Sequence, residues 1–430
     1  MPIDIVLGLQ RGDEGKGRIV DLIAGQYDIV ARFNGGPNAG HTVANGDADP
    51  LKLHQLPSGI SRPGVLNIIG NGTLLDPIRL IEEIREVQEA GVAVSPDNLR
   101  ISDLAHLILP HHISLDEIRE AGEGGQGSTK RGIAFAASDK YERIGVRAEL
   151  ISYDPSTLQR VVCEGLRRVN EDREAVNLPL HDPEAEAEAW MKATAALGAY
   201  IGDTVQLLQS ARNHNKSVLA EGAQAFGLDI EFGMYPFVTS SHTTSGGAVS
   251  GLGIDPHEIR RVIGVVKAIK SHVGGGPFVT EIEDPELAAH IRGQRGNIDS
   301  EYGASTGRER KVGYLDLPEL RRAIRVNGVT EVALTKFDVV HLFGAHMRIA
   351  TAYTLDGNTA QYAPSSASQL TSCIPVYVER PLWAEDIREV RTIADLPRQA
   401  QELLDFLAKE LGVPISMIGV GPERDQIILA

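Results

Sequence analysis

Three features of the sequence predict an α/β fold with a large, mostly parallel central sheet flanked by helices. Short β-branched runs alternate with amphipathic stretches along the chain. Many of these runs are continuously apolar, as expected of strands buried on both faces. The first run passes into a glycine-rich loop and then a helical stretch, so functional loops are expected beyond the strand carboxyl ends. In chain order, residues 3–7, 28–33, 66–69, 217–220, 332–335 and 347–353 read as strands, and 77–90 and 396–411 as helices. The last helix starts near Asp395 and Pro397 and stops before Gly412, a sound start and stop pair.

The stretch from about residue 104 to 215 is charged and helix-rich and contains HDPEAEAEAW. It reads as a helical insertion within one domain that spans residues 1–430. Gly/Ser-rich islands at 122–128, 239–252, 274–276 and 303–307 read as mobile loops over one site.

The composition narrows the function. With 42% hydrophobic and 23% charged residues over 430 positions, the chain can build a large ordinary core. A net charge of −16 argues against a general nucleic-acid binder, which needs a surplus of Lys and Arg. No apolar run approaches a membrane span, and the first residues enter a strand rather than a secretory signal. Two distant cysteines, Cys163 and Cys373, suit neither a disulfide framework nor a zinc cluster, so a cytoplasmic location is expected.

The first loop, LGLQRGDEGKGRIVD over residues 7–21, carries the strongest local signal. Backbone N–H groups at a strand-to-helix junction face an anion, and Lys16 adds charge for a nucleotide phosphate. This makes the fold P-loop-NTPase-like. A Walker loop would place Ser or Thr after the lysine to bind Mg²⁺, but Gly17 stands there. Asp13 can supply the missing metal oxygen or take a proton from a substrate. A second stretch, VARFNGGPNAGHTV over residues 30–43, brings His41 just past a strand end. A lone histidine is usually structural, but an acid and an imidazole flanking a phosphate loop can divide proton transfer between them.

GDEGKG followed by NGGPNAGHT resembles adenylosuccinate synthetase, and the resemblance covers essentially the whole chain. It implies a GTP- and Mg²⁺-dependent ligation of aspartate to IMP, through a 6-phosphoryl intermediate, in a cytoplasmic homodimer. By this resemblance Asp13, His41, Lys16 and Gln224 are catalytic: Asp13 takes the purine N1 proton and His41 acts as acid at the transferring phosphate. GTP contacts fall on Gly12, Asp13, Glu14, Gly15, Lys16, Gly17 and Arg18, on Gly40, His41 and Thr42, and on Arg310. Lys336, Phe337 and Asp338 resemble a guanine-reading element, flanked by Gly419, Val420 and Gly421. Asp338 can accept from both guanine donors, which adenine lacks.

IMP contacts are implied for the first-loop residues Asp13 to Lys16, for Asn38, Ala39, Gly40 and His41, and for Thr129, Gln224, Thr239 and Arg308. Arg143 would reach the site of the partner subunit. Aspartate would be held by Ala304, Ser305, Thr306, Gly307, Arg308, Glu309 and Arg310, where the guanidinium fork suits carboxylates. Asp13 and the Gly40 carbonyl resemble the Mg²⁺ ligands.

The chain departs from the family pattern at Arg11, where Trp is usual, and at Ala134-Phe135 and Ala137, in place of Gly-Pro and Tyr. Glu309 and Gly419 depart as well. A viral branch of the family uses dGMP and often lacks the loop aspartate, so Asp13 favours IMP over a paralogue acting on GMP, dGMP or another amine. A GTP-binding regulatory module would leave Asp13, His41 and the arginine loop unused.

Overall fold

The computed structural model describes residues 2–45, 48–121, 129–297, 300–303 and 307–430. Ten strands form the central sheet: β1 (Ile3–Gly8), β2 (Ile29–Arg32), β3 (Leu66–Ile69), β4 (Leu99–Ser102), β5 (Ile201–Gly202), β6 (Val218–Glu221), β7 (Ile259–Lys267), β8 (Glu331–Thr335), β9 (Ile415–Gly419) and β10 (Ile427–Leu429). Their spatial order is β10-β9-β8-β7-β1-β6-β2-β3-β4-β5. All neighbours are parallel except the terminal β9–β10 hairpin. Large parallel sheets need both faces covered, and the strands here are buried almost throughout. Helix α1 (Lys16–Ala24) packs Ile19, Val20 and Ile23 on one face with Val6, Val30 and Ile263. Helices Leu317–Asn327 and Arg398–Leu411 cover the other face.

The topology fixes where ligands go. From β1 the chain moves outward through β2 to β5, returns to β6 beside β1, and then moves the other way through β7 to β10. The reversal around β1 is a switch point, where a crevice opens at the carboxyl ends. The loops after β1, β2, β6, β7, β8 and β9 all leave from that edge.

Most predicted elements lie within a residue or two of the observed ones, including the helix Pro77–Glu89. Its N-cap Asp76 accepts from the Arg79 amide at 3.1 Å. Two expectations need correction. Residues 347–353 do form a strand, His346–Leu355, but it lies outside the central sheet and pairs antiparallel with Ile374–Pro381. Its first half alternates exposed and buried, because only one face has a partner. The 239–252 island is also not simply a loop, since Ser245–Leu252 is a helix. Glycines there permit close packing: a Cβ at Gly251 would sit 2.1 Å from the Phe33 carbonyl oxygen. The island at 122–128 lies outside the described residues.

Between β4 and β6 the chain is mainly helical, with Pro110–Ala121, Ile133–Glu142, Pro155–Ala175, Pro183–Thr194 and Thr204–Asn213. Short β5 within this stretch returns to the central sheet beside β4. Leu158, Val162, Leu166 and Trp190 bury the helices against Ile101 and Leu107.

Candidate active site

The loop after β1 is built on left-handed backbone. Gly12, Asp13 and Gly15 have φ of 93°, 59° and 89°. Glycine takes this conformation freely, and aspartate is among the few other residue types that tolerate it. Glu14 is turned inward and is 1% exposed. Its carboxylate accepts from the Gly12 amide at 2.8 Å and pairs with Lys16 Nζ at 2.7 Å. The Glu14 side chain is therefore a brace beneath the loop, and only its backbone is left to meet a ligand. Gly17 also has a steric reason: a Cβ there would lie 2.6 Å from the Cβ of His41. The hydroxyl of a Walker loop is absent because the imidazole occupies its space.

His41 starts the strand His41–Asn45 and is 6% exposed. Its Nδ1 lies 2.5 Å from Glu221 Oε1 at the end of β6. Glu221 also accepts from the Ser58 amide at 2.7 Å and the Ser58 hydroxyl at 2.6 Å. Burial pushes the imidazolium of His41 below its ordinary range, and Glu221 only partly offsets this. Burial would raise the Glu221 carboxyl, but His41 and the fully buried Arg32 outweigh it and hold it low. This is an oriented imidazole–carboxylate pair. Thr42 points the other way and is exposed, as alternation along a strand requires.

Beside this wall, Asn38, Gln224 and Thr239 converge from three loops. Gln224 Nε2 donates to Asn38 Oδ1 at 3.1 Å, and Asn38 Nδ2 lies 3.4 Å from Thr239 Oγ1. Gln224 Oε1 is buried with no hydrogen-bond partner among the described residues. Gln224 is also left-handed, with φ of 57°.

On the opposite wall, Arg310 Nη2 meets Asp13 Oδ2 at 2.6 Å, and its Nη1 meets Glu301 Oε2 at 2.8 Å. Glu301 further binds Lys267 at 2.8 Å and Lys336 at 2.7 Å. Thr335 Oγ1 donates to the Glu14 carbonyl at 2.6 Å, joining the end of β8 to the phosphate loop. The Phe337 amide donates to the Gly419 carbonyl at 3.0 Å, which brings the 336–338 turn against the 419–421 loop. Arg18 donates to the Gln426 carbonyl at 3.0 Å and ties α1 to the same loop.

The sequence matches the model of the adenylosuccinate synthetase family across residues 5–428. It is 42% identical over 443 residues to adenylosuccinate synthetase of Salinibacter ruber, covering 100% of this chain and 98% of that one. It is 41% identical to the enzyme of Caldanaerobacter subterraneus over 438 residues, covering 100% and 99%. The chain belongs to the adenylosuccinate synthetase family. The structure of fully ligated adenylosuccinate synthetase from Plasmodium falciparum superposes with a TM-score of 0.90 at 34% identity, covering all of both chains. Cyanophage S-2L succinoaminodeoxyadenylate synthetase, bound to dGMP and dATP, shares only the fold: TM-score 0.62, 18% identity, covering 100% of this chain and 95% of that one.

Within this adenylosuccinate synthetase fold, three residues besides Glu14 that were picked from the sequence sit differently from their expected roles. Phe337 is fully buried against Trp383, with ring centroids 4.8 Å apart, and Val420 is fully buried too. Neither side chain can read a base, although both backbones run along the crevice. Glu309 is exposed and pairs outward with Arg292 at 3.3 Å, away from the Arg310 side. Ala304, Ser305 and Thr306 lie outside the described residues. Gly307 and the exposed Arg308 follow them, and the Gly303 amide donates to the Arg308 carbonyl at 2.8 Å. Ala39 is buried, its carbonyl accepting from His54 at 2.6 Å, and Thr129 is half-buried ahead of Gly132.

The sequence reading missed Glu221 and Glu301. Glu221 lies three residues before Gln224, and an acid closing an otherwise apolar central strand was the available signal. Glu301 had no local signal. A further mark of the site is visible only in the backbone. Eight non-glycine residues among those described have positive φ, and Asp13, Lys130, Arg143, Gln224 and Lys336 are, or adjoin, residues picked from the sequence. The others, Asn177, Asn215 and Asp356, are of the types that tolerate this conformation.

Proposed function

We propose that Asp13 and His41 divide the proton tasks of a reaction in which a GTP-dependent ligase joins L-aspartate to IMP. The products are adenylosuccinate, GDP and phosphate, and the step belongs to purine biosynthesis toward AMP. In this reading Asp13 takes the N1 proton of IMP, and O6 attacks the γ-phosphorus of GTP. The bond from that phosphorus to the bridging oxygen breaks, and GDP leaves. The aspartate amine then attacks C6, the C6–O6 bond breaks, and phosphate departs as the amine nitrogen loses a proton.

The observation that carries this reading is that the Asp13 carboxylate stands on the phosphate loop and His41 lies against the same loop at Gly17, each held by its own partner. Because Nδ1 donates to Glu221, the other ring nitrogen can donate to a phosphoryl oxygen only when the ring is protonated. An arriving phosphate favours that protonation, against the effect of burial. Lys16 and the left-handed loop cradle the phosphates. Asn38, Gln224, Thr239 and Thr129 take the IMP phosphate side, with Arg308 and the loop through Ala304–Thr306 on aspartate. Lys336 and Asp338 read guanine, with Gly419 and Gly421 beside them.

Mg²⁺ fits this site. Asp13 is half-exposed, and only its Oδ2 is engaged by Arg310 among the described residues. With the Gly40 carbonyl it offers the hard oxygen donors the ion prefers. When bound, the ion would neutralise phosphate oxygens during transfer.

A homodimer completes the reading. Arg143 is exposed and left-handed at φ 67°, with no ion pair among the described residues. It is flanked by Tyr141 and Ile144, which are 68% and 59% exposed. Large exposed side chains around an arginine suit a contact with a second copy. A cytoplasmic location belongs to the same reading; no helix among the described residues is long and apolar enough to cross a membrane.

The test is a product assay with Mg²⁺, GTP, aspartate and IMP, analysed by mass, with Asp13→Ala alongside. A succinyl adduct from the native chain alone is expected. An equal yield from Asp13→Ala would remove Asp13 from the proton step. Mixing Asp13→Ala with Arg143→Leu tests the dimer: a shared site predicts recovered activity in the mixture, and independent sites predict none.

A further inference from the structure

Glu301 lies outside the phosphate loop, yet its carboxylate is the point where three candidate functional segments meet. It is 1% exposed. Oε2 takes Lys267 Nζ at 2.8 Å, Ser271 Oγ at 2.7 Å and Arg310 Nη1 at 2.8 Å. Oε1 takes Lys336 Nζ at 2.7 Å. Lys267 ends the central strand β7, and its backbone is clamped by Gln10 at the start of the phosphate loop, with bonds of 2.9 and 3.0 Å. Lys336 lies two residues before Asp338 on the turn assigned to guanine. Arg310 is the residue that touches Asp13.

Glu301 also forms the stem of the arginine loop. The Arg310 amide donates to the Glu301 carbonyl at 3.1 Å, so backbone and side chain both tie Arg310 to Glu301. The Glu301 amide donates to the Arg292 carbonyl at 2.8 Å, which pins the stem to the helix Pro285–Arg292. A single carboxylate therefore joins Arg310, assigned to aspartate, to the turn assigned to guanine.

We infer that Glu301 is a positioning residue that couples GTP binding at the guanine end to aspartate binding at Arg310. The inference rests on the roles proposed above for Lys336 and Arg310. Burial alone would raise the Glu301 carboxyl, but Lys267, Lys336 and Arg310 hold it well below the usual carboxylate range, so it stays ionised. Burial lowers Lys267 to about 8. When a nucleotide draws Lys336 toward its base, the carboxylate is left to Lys267 and Arg310. In a site of low dielectric the remaining pairs tighten. Arg310 is then held more firmly against Glu301, in position to meet the aspartate carboxylate. By linkage, aspartate favours GTP by the same factor in binding.

The experiment measures the aspartate KM of the full-length protein at low and at saturating GTP. For the native chain the KM should fall about fivefold or more between the two conditions, the lower end of ordinary coupling between sites. In Glu301→Gln the ratio should approach one while the protein keeps its fold, as followed by thermal unfolding. A native-like ratio in folded Glu301→Gln, or no GTP dependence in the native chain, overturns the inference. A merely structural role would lower Tm and kcat and leave the ratio unchanged. If Glu301→Gln does not fold, Glu301→Asp keeps the charge beside Lys267 but is too short to span to both Lys336 and Arg310. The same loss of ratio is expected there, and its retention overturns the inference. Lys336→Met separates the two levels. An unchanged GTP KM in that variant removes the guanine role and the inference with it. A raised GTP KM together with a native ratio in Glu301→Gln overturns the inference alone.

Discussion

The two walls of the crevice are built on opposite plans. On one, His41 is anchored by Glu221, a residue of the central sheet, and Glu221 is in turn held by Ser58 and Arg32. That wall is complete without substrate, because its supporting groups have no ligand role of their own. On the other, Asp13, Arg310, Lys336 and Glu301 neutralise one another. Apart from Glu301–Lys267, the pairs there include a group assigned to substrate, so binding must exchange internal ion pairs for ligand ones. The difference follows from the partners. A wall held by strands and by groups that never leave is preorganised, and a wall held by its own ligand-binding charges must rearrange.

Replacing Asp13 with Ala breaks the second wall most severely. It removes both a base and the counter-ion of Arg310, and kcat should fall by about 10⁴-fold, the upper range for a positioned base. GTP binding, followed by fluorescence of a nucleotide analogue, should persist. Normal turnover would exclude Asp13 from the proton step. Asp338→Asn acts at the far end of the same wall. It replaces an acceptor-only group by one that also donates, and the preference for GTP over ATP should fall by roughly 10²-fold or more. Unchanged kcat/KM ratios for the two nucleotides would place guanine recognition elsewhere.

The first wall should show smaller effects that differ in kind. His41→Asn should cost about 10²-fold in kcat with little change in substrate KM, as expected for a group acting mainly in the transition state. Glu221→Gln should cost about tenfold, and it should move the decline of kcat with rising pH to lower pH, because the carboxylate supports the protonated ring. An unshifted profile would mean that Glu221 only packs. The smallest effect concerns stability. Burial depresses His41, and it lowers His106 to about 4, His111 to about 3 and His272 to about 4. The unfolded chain, with ordinary imidazoles near about 6.5, takes up more protons than the folded one as pH falls below that value. Tm should therefore decline between about pH 6.5 and 4 and be flat just above this window with respect to these groups. A Tm constant across that range would show that the histidines are solvated.

The sequence by itself determined the parts governed by local chemistry. Predominantly apolar runs marked β1, β2, β3 and β8, because a strand buried on both faces is mostly apolar. The loop glycines with Lys16 marked the candidate anion site, and the paired signature with NGGPNAGHT marked the family. Tertiary structure decided what depends on contacts between distant segments. It put 346–355 in a second sheet, since a run of apolar residues does not say which strand it will meet. It turned Phe337, Val420, Glu14 and Glu309 away from roles that their place beside a motif had suggested, because side-chain direction is set by packing. It also brought Glu221 to His41 across 180 positions, and Glu301 to Lys267 and Lys336 across about 34. A carboxylate's partners are chosen by the low dielectric of the place where the fold puts it, and no window of sequence contains that place.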